Sequence, residues 1–240
     1  MKKEVILMYS GGYDSILSCI RLVSKGYKVY LIHFDNGSSI GTENIQKGAQ
    51  RLINRFKNQV EFLGIASTAG YFMNYRWRTD IENLNAEELN NKYGKISMSQ
   101  YRCLLCRMSM YTYSIALARK MNIPYIAEGA RKSQLFAIEQ EEILNEFREL
   151  CNEYNIELLT PVHDVEDDYE KENEIFMWDV NLSPYEAKCL LGYPMSKNLT
   201  SEELDDVKKL YKSIRNFQEK DIDENRVILQ KLPKDKITWY

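Results

Sequence analysis

Over residues 4–162 the chain alternates short apolar runs with segments of helical spacing, and that alternation leaves few architectures open. The apolar runs fall at 4–9 (EVILMY), 28–34 (KVYLIHF), 60–65 (VEFLGI), 123–129 (IPYIAEG) and 156–162 (IELLTPV). After the first run, Ile16, Leu17, Ile20, Leu22 and Val23 recur at near-helical spacing before Gly26. A second helix fits 41–57, with Ile45, Ala49, Leu52, Ile53 and Phe56 on one side, and others fit about 103–122 and 137–155. Strands running the same way need crossovers, which helices supply, so the pattern predicts an α/β fold with a mostly parallel sheet flanked by helices.

Residues 68–101, rich in aromatic and polar side chains without a clear period, read as an irregular or helical insertion over the sheet. Beyond His163 the chain turns acidic (DVEDDYEKENE) and continues as short helical segments. The expected organisation is an α/β domain over 1–163 and a mainly helical C-terminal extension over 164–240, packed on the same domain. At 240 residues and 44% hydrophobic content the chain can bury a substantial core. No run approaches a membrane-spanning length, and the Met-Lys-Lys start leads straight into a short strand, so a cytoplasmic chain without a membrane partner is expected. A net charge of −3 argues against a chain that binds nucleic acid by overall charge, while leaving room for a local basic patch.

The first strand runs into Ser10-Gly11-Gly12-Tyr13-Asp14-Ser15, which opens the first helix. Glycines let backbone amides approach an anion, the helix N-terminus contributes partial positive charge, and the serines add donors, so the knot suits a phosphate. Asp14 would repel a phosphate unless a divalent cation lay between them, which predicts Mg²⁺ bridging the two. The plain alternative is a Gly-Gly turn with a serine cap.

This hexapeptide, placed after the first strand, resembles the SGGxDS loop of the PP-loop (N-type) ATP pyrophosphatases. Over residues 4–162 the resemblance implies the adenine nucleotide alpha hydrolase type of fold, a five-stranded parallel sheet in the order 3-2-1-4-5. It also implies chemistry: ATP is cut between its α and β phosphates, AMP passes to a carbonyl or carboxyl oxygen of the substrate, and a sulfur or nitrogen nucleophile replaces that oxygen. ATP would be held by Ser10, Gly11, Gly12, Tyr13, Asp14 and Ser15, with His33, Phe34 and Asp35 near adenine and ribose and Gly129 at the end of the fourth strand. Arg131 and Lys132 follow Gly129 at the sheet edge where ligands of open sheets bind. They are candidates to neutralise the α-phosphate and departing pyrophosphate, or else a solvated pair at a helix start.

Five cysteines, an odd number, argue against a disulfide framework in such a chain. Cys103 and Cys106 form a CxxC read at a helix start, which suits low-pKa thiols, Zn²⁺ or an iron–sulfur cluster, and Cys189 is the best third ligand. Three cysteines with one open position resemble the cluster-bearing PP-loop sulfurtransferases, in which a [4Fe–4S] cluster binds sulfide. Structural zinc and simple packing are the alternatives. Cys19 and Cys151 fall inside helices and read as buried, inert thiols. The 7-cyano-7-deazaguanine synthases share the loop and insert nitrogen, but their usual late four-cysteine zinc knot is matched here by Cys189 alone.

Residues 71–78 (YFMNYRWR), with Arg76, Trp77 and Arg78, interleave aromatics and cations as a base-stacking surface does, and helix packing explains them equally. The acidic run reads as a solvated face, and His163 as a base or a structural histidine. The expected activity is therefore Mg·ATP-dependent adenylation followed by sulfur insertion, with nitrogen insertion as the rival reaction and a non-catalytic ATP-binding regulator as the rival class. Catalytic candidates are Asp14, Ser15, Cys103, Cys106, Arg131 and Lys132. Expected partners are a small-molecule or nucleobase substrate, with RNA or a protein left open and a homo-oligomer as the assembly.

Overall fold

The structure is a computed structural model that describes residues 3–94, 96–134, 136–178, 185–190 and 200–224. Its elements in chain order are β1 (Glu4–Met8), α1 (Tyr13–Ser24), β2 (Lys28–Asp35), β3 (Ser39–Ile40), α2 (Ile45–Phe56), β4 (Val60–Ser67), α3 (Ala69–Thr79) and α4 (Ala86–Tyr93). They continue as α5 (Met98–Met121), β5 (Tyr125–Glu128), α6 (Glu141–Glu153), β6 (Glu157–Leu159), α7 (Asp168–Met177), β7 (Lys188–Cys189) and α8 (Ser201–Asp223).

Five strands form one parallel sheet in the order β4-β2-β1-β5-β6. This is the expected 3-2-1-4-5 order once the two-residue β3 is counted. β1 and β2 read as unbroken apolar runs because both faces of a central parallel strand are covered, and residues 5–8 are 4% exposed or less. One face packs Val5, Leu7, Val29 and Leu31 against α1, α2 and Ile175 of α7. The other packs Ile6, Met8, Tyr30 and Ile32 against α3, α5, α6 and α8.

The insertion expected over 68–101 is helical: α3, α4 and the first turn of α5. α5 starts at Met98 rather than near Cys103, because Ser97 and Gln100 form a reciprocal capping box that satisfies two orphan amides. The helices expected at 41–57 and 137–155 are shorter, since 3₁₀ turns at 42–44 and 137–139 precede them, and the last strand is only three residues long.

Nor is the C-terminal part built only of short helices. α8 has 23 residues, is capped by Thr200 and Glu203, and buries Val207, Leu210, Tyr211, Ile214 and Ile222 in the core. Tyr211 meets the Phe147 ring edge-on at 5.2 Å, and Phe147 stacks on Tyr111 at 4.2 Å, tying α8 to α6 and α5. The remainder of the expected extension, including Gly192, Pro194 and the tail beyond 224, lies outside the described residues. Among the described residues no helix is long and apolar enough to cross a membrane.

Candidate functional site

β1 is the central strand. The chain leaves it for β2 on one side and β5 lies on the other, so the loops after β1 and β5 flank the crevice at the sheet's C-terminal edge. The first is Ser10–Ser15. Gly11 has φ 84°, a conformation only glycine adopts without strain, and Gly12 takes the N-cap of α1 with no side-chain cap. The hydroxyls brace the loop from within. Ser15 Oγ accepts from the Gly11 amide at 3.2 Å and donates to the Gly12 carbonyl at 2.9 Å, while Ser10 Oγ accepts from the Gly12 amide at 3.2 Å. Ser15 is thus a strut of the loop as much as a candidate ligand. Gly129 presses on the same turn: a Cβ there would stand 3.0 Å from Asp14 C and Ser15 N.

Asp14 heads a group of alternating charge. Its Oδ1 lies 3.3 Å from Arg131 Nε and 3.1 Å from Lys171 Nζ, and Gln134 Nε2 donates to its Oδ2 at 2.5 Å. Arg131 and Lys171 also share Asp168 Oδ1, at 2.6 and 3.0 Å. That hydrogen bond from Lys171, more than the charge of Arg131, holds the Asp168 carboxyl below its usual range. Arg131 therefore lies at the loop, as expected from sequence, but engaged with carboxylates. Lys132 is exposed and has no place in the group.

Lys171 is the residue that sequence reasoning missed. The acidic run is mostly solvated, as expected, yet α7 turns Lys171 and Ile175 inward and leaves Lys171 only 5% exposed. The available signal was the one lysine of the run, one turn before an isoleucine.

His33 Nδ1 contacts the Tyr9 carbonyl at 2.9 Å, so that nitrogen carries the proton and Nε2 is left as a buried acceptor without a partner. Burial lowers its pKa, with the Tyr9 carbonyl opposing. The Tyr9 hydroxyl is likewise buried and unpartnered. Asp35 Oδ1 accepts from the Gly37 amide at 2.9 Å. Phe34 points into the core, edge-on to Tyr113 at 5.5 Å, so only its backbone faces the crevice edge.

Cys103 and Cys106 lie in the second and third turns of α5, not at its start, and their thiols are not of the low-pKa kind. Burial pushes them up to about 11 and about 12, with the nearby Cys189 adding to the rise and Arg107 opposing it. Both thiols thus feel the third expected cysteine, Cys189, as a nearby charge. Asn36 Nδ2, just beyond β2, donates to Cys106 Sγ at 3.2 Å. Among the described residues no three His, Cys, Asp or Glu side chains stand close enough to hold a metal ion, so Cys189, exposed on β7, would have to move inward to complete a ligand set.

Arg107 is braced from the other side by Glu128, which also accepts from Tyr111 at 2.7 Å, and lies 3.6 Å from Glu139. Glu139 in turn accepts from the Arg131 amide at 3.2 Å. A buried polar chain therefore joins Arg107, next in sequence to Cys106, to the Asp14 group through Glu139 and Arg131. Cys19 and Cys151 are fully buried, and burial raises both thiols. His163 Nε2 is 3.0 Å from the Glu139 carbonyl, in keeping with the structural reading. On α3, Trp77 is 72% exposed while Arg78 stacks on Phe217 of α8 at 4.7 Å.

Comparison with known proteins adds three findings. The family model described as "ThiI: Thiamine biosynthesis protein (ThiI)" matches residues 1–215. A comparison with curated proteins gave no match. Among solved structures, a 4-thiouridine synthetase in complex with RNA and ATP is similar with a TM-score of 0.60 and 17% identity, over 93% of this chain and 53% of that one. The U34-tRNA thiolase NcsA from Methanococcus maripaludis, solved with its [4Fe-4S] cluster, aligns at TM-score 0.46 and 12% identity, over 92% of this chain and 70% of that one. The chain spans about half the length of the synthetase it matches.

Proposed function

Because the chain belongs to the ThiI family, whose model spans residues 1–215, we propose that it is a PP-loop enzyme that adenylates a carbonyl oxygen of an RNA nucleobase and replaces that oxygen with sulfur. The observation that carries this reading is the Asp14 carboxylate, set in a glycine loop at a helix N-terminus and flanked by the buried cations Arg131 and Lys171. Phosphates bind at a helix N-terminus where backbone amides converge, and here the Gly11 and Gly12 amides would trade their long serine bonds for phosphate oxygens. Arg131 and Lys171 then stand ready to balance the charge that grows on pyrophosphate as it leaves.

Asp14 would hold Mg²⁺, and the ion would supply Lewis-acid charge neutralisation at the phosphates. Cys103, Cys106 and Cys189 would hold a [4Fe–4S] cluster or Zn²⁺; a cluster with one open iron supplies a place for sulfide. RNA as the substrate class is supported by the RNA bound to the structurally similar synthetase.

The test is to incubate the purified chain with Mg·ATP, unmodified RNA and sulfide, follow pyrophosphate, and examine nucleosides by mass spectrometry. Pyrophosphate release and a thionucleoside are expected, with Asp14→Asn lowering both at least about a hundredfold. Release of phosphate instead, or unchanged turnover in that variant, contradicts the adenylation reading. A nitrogen-containing product would replace sulfur insertion with nitrogen insertion.

A further inference from the structure

The short segment 185–190 touches the glycine loop at one end and β3, just beyond Asn36, at the other. At one end the Tyr185 amide donates to the Gly11 carbonyl at 3.1 Å, and the Tyr185 carbonyl lies so near that a Cβ on Gly11 would come within 2.5 Å of it. Arg51 grips the Tyr185 side chain, with NH2 2.5 Å from the hydroxyl and the guanidinium 4.3 Å from the ring centroid. The next residue sets its carboxylate against the loop: a Cβ on Gly12 would meet Glu186 Oε1 at 2.8 Å and Oε2 at 3.1 Å. At the other end Cys189 pairs antiparallel with Ser39, and the Leu190 amide donates to the Ser38 carbonyl at 3.0 Å.

A carboxylate against the N-cap glycine of α1 takes the position an anion would take. Burial raises the Glu186 carboxyl, the like charge of Asp14 adds to the rise, and Lys171 opposes it. A phosphate chain entering the loop would meet Glu186 at contact distance, and two negative groups do not share one seat.

We infer that residues 185–190 form a strap that couples occupancy of the glycine loop to the placement of Cys189. Phosphate displaces Glu186 from Gly12 and the Tyr185–Gly11 hydrogen bond goes with it; Arg51 keeps the Tyr185 side chain, and Cys189, held beyond it only by the short β3–β7 pairing and the Leu190–Ser38 bond, shifts relative to Cys103 and Cys106. Tyr185 and Glu186 are positioning residues in this scheme. The inference rests on reading the loop as a nucleotide cradle.

The experiment uses the full chain in two measurements. Hydrogen exchange by mass spectrometry, with and without the Mg²⁺ complex of non-hydrolysable α,β-methylene-ATP, should show slower exchange at 10–15 but faster exchange at 185–190. A segment that merely packs on the loop would slow instead. Calorimetry with pyrophosphate should show Glu186→Gln binding tighter than wild type, on the order of fivefold, because the competing charge is gone. Analogue binding with unchanged or slower exchange at 185–190, or weaker pyrophosphate binding by Glu186→Gln, overturns the strap and leaves the cradle standing. Failure of the wild-type chain to bind the analogue overturns both.

Discussion

Asp14 acts through the company it keeps. Alone, a carboxylate at the mouth of a glycine loop would weaken phosphate binding; between Arg131 and Lys171 it belongs to a group whose charges alternate with Asp168. The desolvation cost of the nearly buried Lys171 is offset by two carboxylates at 3.0 and 3.1 Å. Lys171→Met should therefore lower pyrophosphate release by about a hundredfold. The exposed Lys132→Ala should stay within about threefold of wild type, as is usual for a solvated charge. Steady-state pyrophosphate assays decide between them, and a reversed order would restore the role that Lys132 was expected to have. Glycines and an aspartate in one hexapeptide were legible because the whole signal is local. Lys171 was not, because only the docking of α7 on α1 brings it to the loop.

At the scale of the element, α5 carries Cys103 and Cys106 and is held by the brace of Arg107, Glu128 and Glu139. Removing one partner of a buried ion pair strands the other charge, so Glu128→Ala should destabilise the fold by about 3 kcal/mol in urea melts. Loss of under 1 kcal/mol would mean that Arg107 is satisfied without it. Burial raises Glu139 from 4.5 to about 7, against the opposing pull of Arg107 and the Arg131 amide. Between those values the folded chain keeps a proton that the unfolded chain has released, so stability is lost as pH rises through this window. The slope from this group is roughly 1 kcal/mol per pH unit, and Glu139→Gln should remove it in melts run across the window. The strands were readable from their apolar runs. The start of α5 is marked by Ser97-x-x-Gln100, yet apolar spacing alone puts it near Cys103, which is why low-pKa thiols stood beside zinc and an iron–sulfur cluster among the readings of this pair. β3 and β7 are two residues each, too short for any pattern to show.

At the scale of the molecule, placing β1 in the middle of the sheet gathers the Ser10–Ser15 loop and the Gly129–Gln134 segment at one edge, and β2 ends there beside Cys106 through Asn36. The proposed reaction, which activates an oxygen and then replaces it, needs its nucleotide and its sulfur donor close together, and this topology brings the glycine loop and Cys106 to the same edge of the sheet. α8 closes the far face of the sheet and serves the core, while segment 185–190 packs on the glycine loop. In the proposed reaction AMP is transferred to an oxygen of the substrate and leaves carrying it. The direct measurement is turnover with RNA labelled with ¹⁸O at its nucleobase carbonyls, followed by mass spectrometry of the released AMP. Labelled AMP, formed together with pyrophosphate, is the predicted result; unlabelled AMP, or ADP and phosphate, would contradict it.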